Sequence, residues 1–199
     1  MNVVHDSAVA TAVRTVFLDR DGVINVDSSA YIKSRAEFHL IPGSLEAMAR
    51  LTKAGLALIL VTNQSALARG LIDMPELTAI HRRLTDDLAR LGGRLDDIFY
   101  CPHHPDDGCD CRKPKPGMVQ QACRRHGIDP ASACMVGDSA KDLICARAAG
   151  CRYAVLVRSA NTDAQLEDLA RQHLMPDLVA DDLAAAADWI LAAPAAPGT

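Results

Sequence analysis

Aromatic residues make up only 4% of this 199-residue chain, and positive charge does not outweigh negative: 21 Lys and Arg stand against 25 Asp and Glu, a formal net charge of -4. A basic face interleaved with aromatics, of the kind that holds nucleic acid, is therefore missing, and the overall balance offers nothing to an anionic membrane. Any phosphate must be held by cations gathered locally. Long apolar runs are also lacking. None approaches the ~18 residues of a membrane-spanning helix, and the strongest, Leu56 to Val61, is the length of a strand. The first residues, Met1 to Arg14, carry His5, Asp6 and Ser7 where a secretion signal needs a basic start and an apolar stretch, which predicts a cytoplasmic protein. Without export, the seven cysteines read as reduced thiols or metal ligands rather than a disulfide framework. Gly and Pro are too few for disorder, no internal repeat is present, and 49% hydrophobic content suits one globular domain of this length.

What is present is an alternation of short apolar runs with longer amphipathic stretches, the pattern of βα units on a parallel sheet. Strands are predicted at Thr15–Leu18, Leu56–Thr62, Ile98–Cys101, Ala133–Gly137 and Tyr153–Val157. Leu77, Ile80, Leu84, Leu88 and Leu91 recur at helical spacing behind a capping box of Asp73 and Glu76. Further helices are expected between Pro42–Gly43 and Gly55, between Pro116 and Gly127, and from about Ser139 to Gly150. The domain is expected over 15–191, with an N-terminal extension before it and a frayed tail at 192–199. Two stretches break the alternation, Asn25–Ile41 and Pro102–Lys115, and both follow strands, where ligands of open parallel sheets bind.

Four segments at predicted strand ends carry chemistry. Val16-Phe17-Leu18-Asp19-Arg20-Asp21-Gly22 presents two carboxylates two residues apart, suited to a nucleophile and a proton shuttle in phosphoryl transfer. Two anions facing a phosphate repel it, so a divalent cation and a lysine are needed nearby. Thr62-Asn63-Gln64-Ser65 supplies hydroxyl and amide groups able to hydrogen-bond a phosphate. Arg112-Lys113-Pro114-Lys115 supplies the local cations, and Gly137-Asp138, with Asp142 four residues on, supplies carboxylate for magnesium. A fifth cluster, Cys101-Pro102-His103 and Cys109-Asp110-Cys111, has the donors of a closed tetrahedral zinc site, which would be structural and would pin the loop delivering Arg112 and Lys113. His104 is an alternative to His103. Cys123, Cys134, Cys145 and Cys151 lack ligand spacing.

In this order the strand-end segments resemble the four motifs of the haloacid dehalogenase (HAD) superfamily of phosphohydrolases, from about Thr15 to Val157. The resemblance implies a three-layer Rossmann-like α/β core without a large cap domain. It implies Asp19 as nucleophile, Asp21 as general acid/base and Thr62 and Lys113 as phosphoryl-stabilising groups. Magnesium would sit on Asp19, the Asp21 carbonyl and Asp138. Lys115 is the alternative lysine; Lys113 is preferred because it directly follows Arg112. The phrases FLDRDGVINVD, VTNQSALARG and CDCRKPKPGM, with the zinc loop on Cys101, His103, Cys109 and Cys111, look like the D-glycero-D-manno-heptose-1,7-bisphosphate 7-phosphatase family. That likeness implies removal of a sugar 7-phosphate in the supply of activated heptose for lipopolysaccharide. Its substrate contacts would be Asp27, Asn63, Gln64, Ser65, Arg112 and Ser139, in a monomer with no nucleic-acid or membrane partner. Two positions depart from the family: Ser139 where some members have lysine, and Ala66 where glycine is common. Histidinol-phosphate phosphatases share the core and the zinc loop, and a non-catalytic phosphate-binding module is the reading outside enzymes.

Overall fold

The computed structural model describes residues 13–192. The strands β1 (Thr15–Leu18), β2 (Ala57–Asn63), β3 (Asp97–Cys101), β4 (Ala133–Gly137), β5 (Tyr153–Val157) and β6 (Leu178–Ala180) form one parallel sheet in the order β3-β2-β1-β4-β5-β6. The central strands β1, β2 and β4 are buried on both faces, which is why their sequences read as apolar runs rather than alternations. The pleat sorts the side chains: Val16, Leu18, Leu58 and Leu60 face one layer, and Phe17, Ile59 and Val61 face the other.

The helices α1 (Ser44–Lys53), α2 (Met74–Arg90) and α6 (Leu183–Ala192) cover the first face through Met48, Leu51, Leu77, Ile80, Leu84 and Ile190. The helices α3 (Gly117–His126), α4 (Ala140–Ala149) and α5 (Thr162–Arg171) cover the second through Met118, Val119, Leu143 and Leu169. At about 1.5–3 kcal/mol for each large side chain removed from water, these two layers hold the sheet between them. This is the three-layer α/β core expected from the strand pattern. No helix or named strand lies between β1 and α1, so among the described residues there is no large cap.

The structure differs from the sequence reading in several details. A sixth strand, with α5 and α6 around it, extends the sheet beyond β5. α6 runs to Ala192, and at the other end Arg14 N donates to Ser132 O while Arg14 O accepts from Ala57 N; the expected extension at 1–12 and tail at 193–199 lie outside the described residues. At α2 the Asp73 carboxylate accepts from the Glu76 amide at 2.9 Å. The Glu76 carboxylate does not reach back; it accepts from Arg35 N at 2.7 Å, tying the 25–41 loop to the helix.

The chain runs outward from β1 through β2 to β3 and then returns to β4 on the other side of β1. The connections therefore diverge at the carboxyl ends of β1 and its neighbours, the crevice where such sheets bind ligands. The 25–41 loop walls this crevice, anchored by buried Ile32 and Phe38 and by a bridge between Asn25 and Leu40.

Candidate active site

A cavity of about 390 Å³ opens at that crevice. Every residue predicted from sequence for catalysis, for magnesium or for substrate contact lines it: Asp19 and Asp21 from β1, Thr62 to Ser65 from β2, Arg112 and Lys113 from the loop after β3, Asp138 and Ser139 from β4, and Asp27 from the 25–41 loop. Gly22 allows the first segment to meet the fourth. Its φ is +79°, and a Cβ there would lie 2.2 Å from Asp138 Oδ2.

Asp19 emerges from β1 with its amide bound to Val136 O. Its Oδ1 accepts from Lys113 Nζ at 2.8 Å and from Arg20 N at 2.7 Å, while Oδ2 takes no hydrogen bond from the described residues. One oxygen is fixed and the other is left for chemistry. Lys113 is buried; its Nζ donates to Val61 O at 2.8 Å and forms ion pairs with Asp19 Oδ1 at 2.8 Å and Asp142 Oδ1 at 2.6 Å. Its effect on a phosphoryl group is therefore carried by charge. Lys115, the alternative, lies outside this network and bonds Gly108 O and Asp110 Oδ1. Asp142 sits in the first turn of α4, where its Oδ2 accepts from Ser139 N and Oγ at 3.1 and 2.7 Å. That makes Asp142 the anchor of Lys113.

The amides of the second segment are occupied by the scaffold. Asn63 exchanges two hydrogen bonds of 3.1 Å with the backbone of Lys113. Gln64 Nε2 donates to Asp21 Oδ2 at 3.0 Å and to Thr62 Oγ1 at 2.9 Å, which leaves the Thr62 hydroxyl proton free to donate. Arg112 Nη1 is buried at the cavity and has no hydrogen-bond partner among the described residues. Lys141 also lines the cavity and was missed by sequence reading, although it is a cation only three residues past Asp138. Ala66 is buried in the core beside α2, its methyl absorbed by packing.

Carboxylate oxygens of Asp19, Asp138 and Asp142 lie within 4.8 Å of one another. Lys113 offsets one of these three charges. Burial first, then Asp19, Asp142 and Asp27, push Asp138 up to about 8. Burial likewise drives Asp19 up to about 7, against the pull of Lys113. Burial alone would depress the Lys113 ammonium, but Asp142 and Asp19 outweigh it and hold it above the ordinary lysine range. A divalent cation fits this set, since its charge would offset both the burial and the mutual repulsion that raise Asp138 and Asp19.

The second donor cluster lies at the end of β3. Cys101 Sγ is 3.6 Å from His103 Nδ1 and 3.6 Å from Cys109 Sγ; Cys111 Sγ is 3.2 Å from His103 Nδ1 and 3.5 Å from Cys109 Sγ. Four donors at such edges enclose a point about 2.0–2.3 Å from each, the reach of zinc to nitrogen and sulfur. His104 faces elsewhere: its ring accepts from Asp106 N and it caps the short 3-10 turn Pro105–Asp107. Burial first and then the neighbouring thiols push Cys111 up to about 12, a crowding that a dication would relieve. The Cys101 carbonyl accepts from Gln64 N at 2.8 Å, so this cluster is joined directly to the catalytic strand ends.

Comparison with known proteins agrees with this geometry. Residues 110–186 match the model of the HAD-hydrolase-like family. The chain is 48% identical to the D-glycero-beta-D-manno-heptose-1,7-bisphosphate 7-phosphatase of Bordetella bronchiseptica, over 89% of this chain and 98% of that protein. It is 48% identical to the Pseudomonas aeruginosa protein of the same name, over 88% and 97%. A crystal structure of the B. bronchiseptica D,D-heptose 1,7-bisphosphate phosphatase, complexed with magnesium and phosphate, superposes with a TM-score of 0.84 over 91% of this chain and 99% of that one. With the strand-end carboxylates and the buried lysine in one cavity and the cysteine-histidine cluster on the loop that delivers that lysine, the chain belongs to the D-glycero-beta-D-manno-heptose-1,7-bisphosphate 7-phosphatase family of HAD phosphatases.

Proposed function

We propose that this chain removes the 7-phosphate of D-glycero-β-D-manno-heptose 1,7-bisphosphate, in the supply of activated heptose for lipopolysaccharide. The observation that carries the choice of a bisphosphate is the buried Arg112 Nη1, without a hydrogen-bond partner among the described residues, at a cavity where Lys113 is already paired with Asp19 and Asp142. A guanidinium nitrogen left bare in a protein interior is costly unless an anion completes it. Lys141 stands at the same wall, supplying a cation where Ser139 cannot.

In the reaction, Asp19 Oδ2 attacks phosphorus and the bond to the sugar oxygen breaks; Asp21 gives that oxygen its proton. The aspartyl-phosphate is then attacked by water, whose proton returns to Asp21, and phosphate leaves with Asp19 restored. The Thr62 hydroxyl donates to the phosphoryl oxygens, and the Lys113 charge opposes the negative charge that gathers on them. Asp19, the Asp21 carbonyl and Asp138 would hold magnesium, which when bound lowers the charge facing the phosphate. Cys101, His103, Cys109 and Cys111 would hold zinc, leaving no open position for catalysis and fixing the loop that ends in Arg112 and Lys113. Reduced thiols of this kind suit the cytoplasm. Every group named comes from one chain, so the reaction is written for a monomer.

The discriminating experiment compares kcat/KM with magnesium across both anomers of the heptose bisphosphate and histidinol phosphate. Preference for the β bisphosphate is expected. Faster cleavage of histidinol phosphate would transfer the chain to the rival activity, and an unchanged rate in Asp19→Asn would remove the nucleophile from the scheme.

A further inference from the structure

Arg20 stands between the two catalytic aspartates in sequence, yet its side chain is 1% exposed and heads the largest fully buried side chains. A charge so deeply placed must be paired. Its guanidinium lies side-on to Asp21: Nη2 donates to Oδ1 at 2.9 Å and to Oδ2 at 3.0 Å, and Nε donates to Oδ1 at 3.2 Å. Asn25 Nδ2 adds a bond of 2.9 Å to Oδ1 and Gln64 one of 3.0 Å to Oδ2.

Behind Arg20 stands a second layer. Its Nη1 meets His81 Nε2, on α2, at 3.4 Å. A guanidinium has no acceptor, so this contact is favourable only with Nε2 bare of hydrogen. Burial first, then the Arg20 charge, push His81 down to about 4, so the ring is neutral and able to accept. Tyr100 lies against it at 6.0 Å between ring centres. Phe38 lies under the guanidinium, 5.9 Å from its carbon, and carries Arg83 at 5.8 Å from the same ring. Arg20 is thus fixed by the 25–41 loop and by α2 before it touches Asp21.

We propose that Arg20, backed by His81, is a positioning residue that fixes the Asp21 carboxylate and so aims the proton given to the leaving oxygen; this rests on the reading of Asp21 as general acid/base. Oδ1 takes three contacts and Oδ2 two, which makes Oδ2 the oxygen better able to carry that proton. Gln64 joins Oδ2 to the Thr62 hydroxyl through a single amide nitrogen, so Oδ2 is the oxygen on the phosphoryl side.

The test compares two leaving groups, because only a poor one needs the proton. The kcat/KM with magnesium is measured for heptose 1,7-bisphosphate, whose alkoxide must be protonated, and for p-nitrophenyl phosphate, whose phenolate needs little help. Asp21→Asn serves as the reference, with an expected loss about 10²-fold larger on the sugar phosphate than on the aryl ester. Arg20→Lys and His81→Leu are expected to lose about ten-fold more on the sugar phosphate than on the aryl ester. His81→Gln restores an acceptor for Nη1 and is expected to recover most of that difference. Circular dichroism checks that each variant is folded, and the His81 pair carries the test should Arg20→Lys fail to fold. Equal losses on both substrates in the His81→Leu protein, with Asp21→Asn still selective, would overturn the positioning role alone. An unselective Asp21→Asn would instead overturn the general acid/base assignment and this proposal with it.

Discussion

Removing magnesium should make this protein less stable as the pH rises, and the size of the effect follows from two carboxyls. In the metal-free fold Asp138 is pushed up to about 8 and Asp19 up to about 7, both from 3.8. A raised folded value means that the folded chain keeps protons which the unfolded chain has released. The associated stability is complete below about pH 4, falls progressively as the pH rises from there, and is fully lost once the pH has climbed through 7 and 8. One retained proton is worth about 1.4 kcal/mol per pH unit, so Asp138 alone lowers stability by about 2.7 kcal/mol between pH 5 and pH 7. Asp19 adds a second contribution, smaller than a full proton because the two share one repulsion. Magnesium binds the ionised pair and removes the penalty, so the gap between magnesium-loaded and magnesium-free protein should widen over the same range. Urea unfolding from pH 5 to pH 8, with magnesium dialysed away rather than chelated so that zinc is untouched, measures both curves. Asp138→Asn should lower the magnesium-free slope by about 1.4 kcal/mol per pH unit. A flat magnesium-free curve, or the same slope in the variant, would refute the reasoning.

Lys113→Ala should destabilise the protein by about 3–5 kcal/mol, because it leaves Asp19 and Asp142 buried without their partner, and should slow turnover far more than Lys115→Ala, which should stay within about 0.5 kcal/mol of the parent; the reverse ranking in kcat would reassign the lysine. Cys101→Ser should release zinc and lower Tm, measured by elemental analysis and calorimetry, and full zinc retention with an unchanged Tm would remove the site. Gly22→Ala should displace Asp138, since the new Cβ starts 2.2 Å from its Oδ2, and should raise the magnesium concentration needed for half-maximal activity; an unchanged magnesium titration would contradict that contact.

The parts of this molecule that were legible in sequence are those whose signal is local. Five strands announce themselves as short apolar runs, the central ones because both faces are covered, and the acids and hydroxyls that follow them fall at strand ends, where the cavity is. β6 was not legible because three residues, Leu178 to Ala180, are too few to show a period. The partner of a side chain is harder still. Asp142 was read as a carboxylate for magnesium, but its tie to Lys113 joins residues that only β4 and the loop after β3 bring together. Asn63 and Gln64 were read as substrate contacts, and their amides turn out to brace Lys113 and Asp21. His81 gave no signal at all, being one polar residue on an otherwise ordinary amphipathic helix, 61 positions from the arginine it meets.

The loop after β3 is fastened at three points: by the cysteine-histidine cluster, by Asn63 clasping the Lys113 backbone, and by Lys113 Nζ on Val61 O. Two of these fastenings hold Lys113 itself and the third holds the chain leading to it, so the loop has almost no freedom to be redrawn. The opposite wall is different. Residues 26–30 are largely exposed, and Asp27 and Ser28 line the cavity while Ile32 and Phe38 anchor the segment from below. For anyone redesigning the range of sugars accepted, the two walls are unequal materials: one is a fixture to be left alone, and the other is the surface on which new specificity can be written.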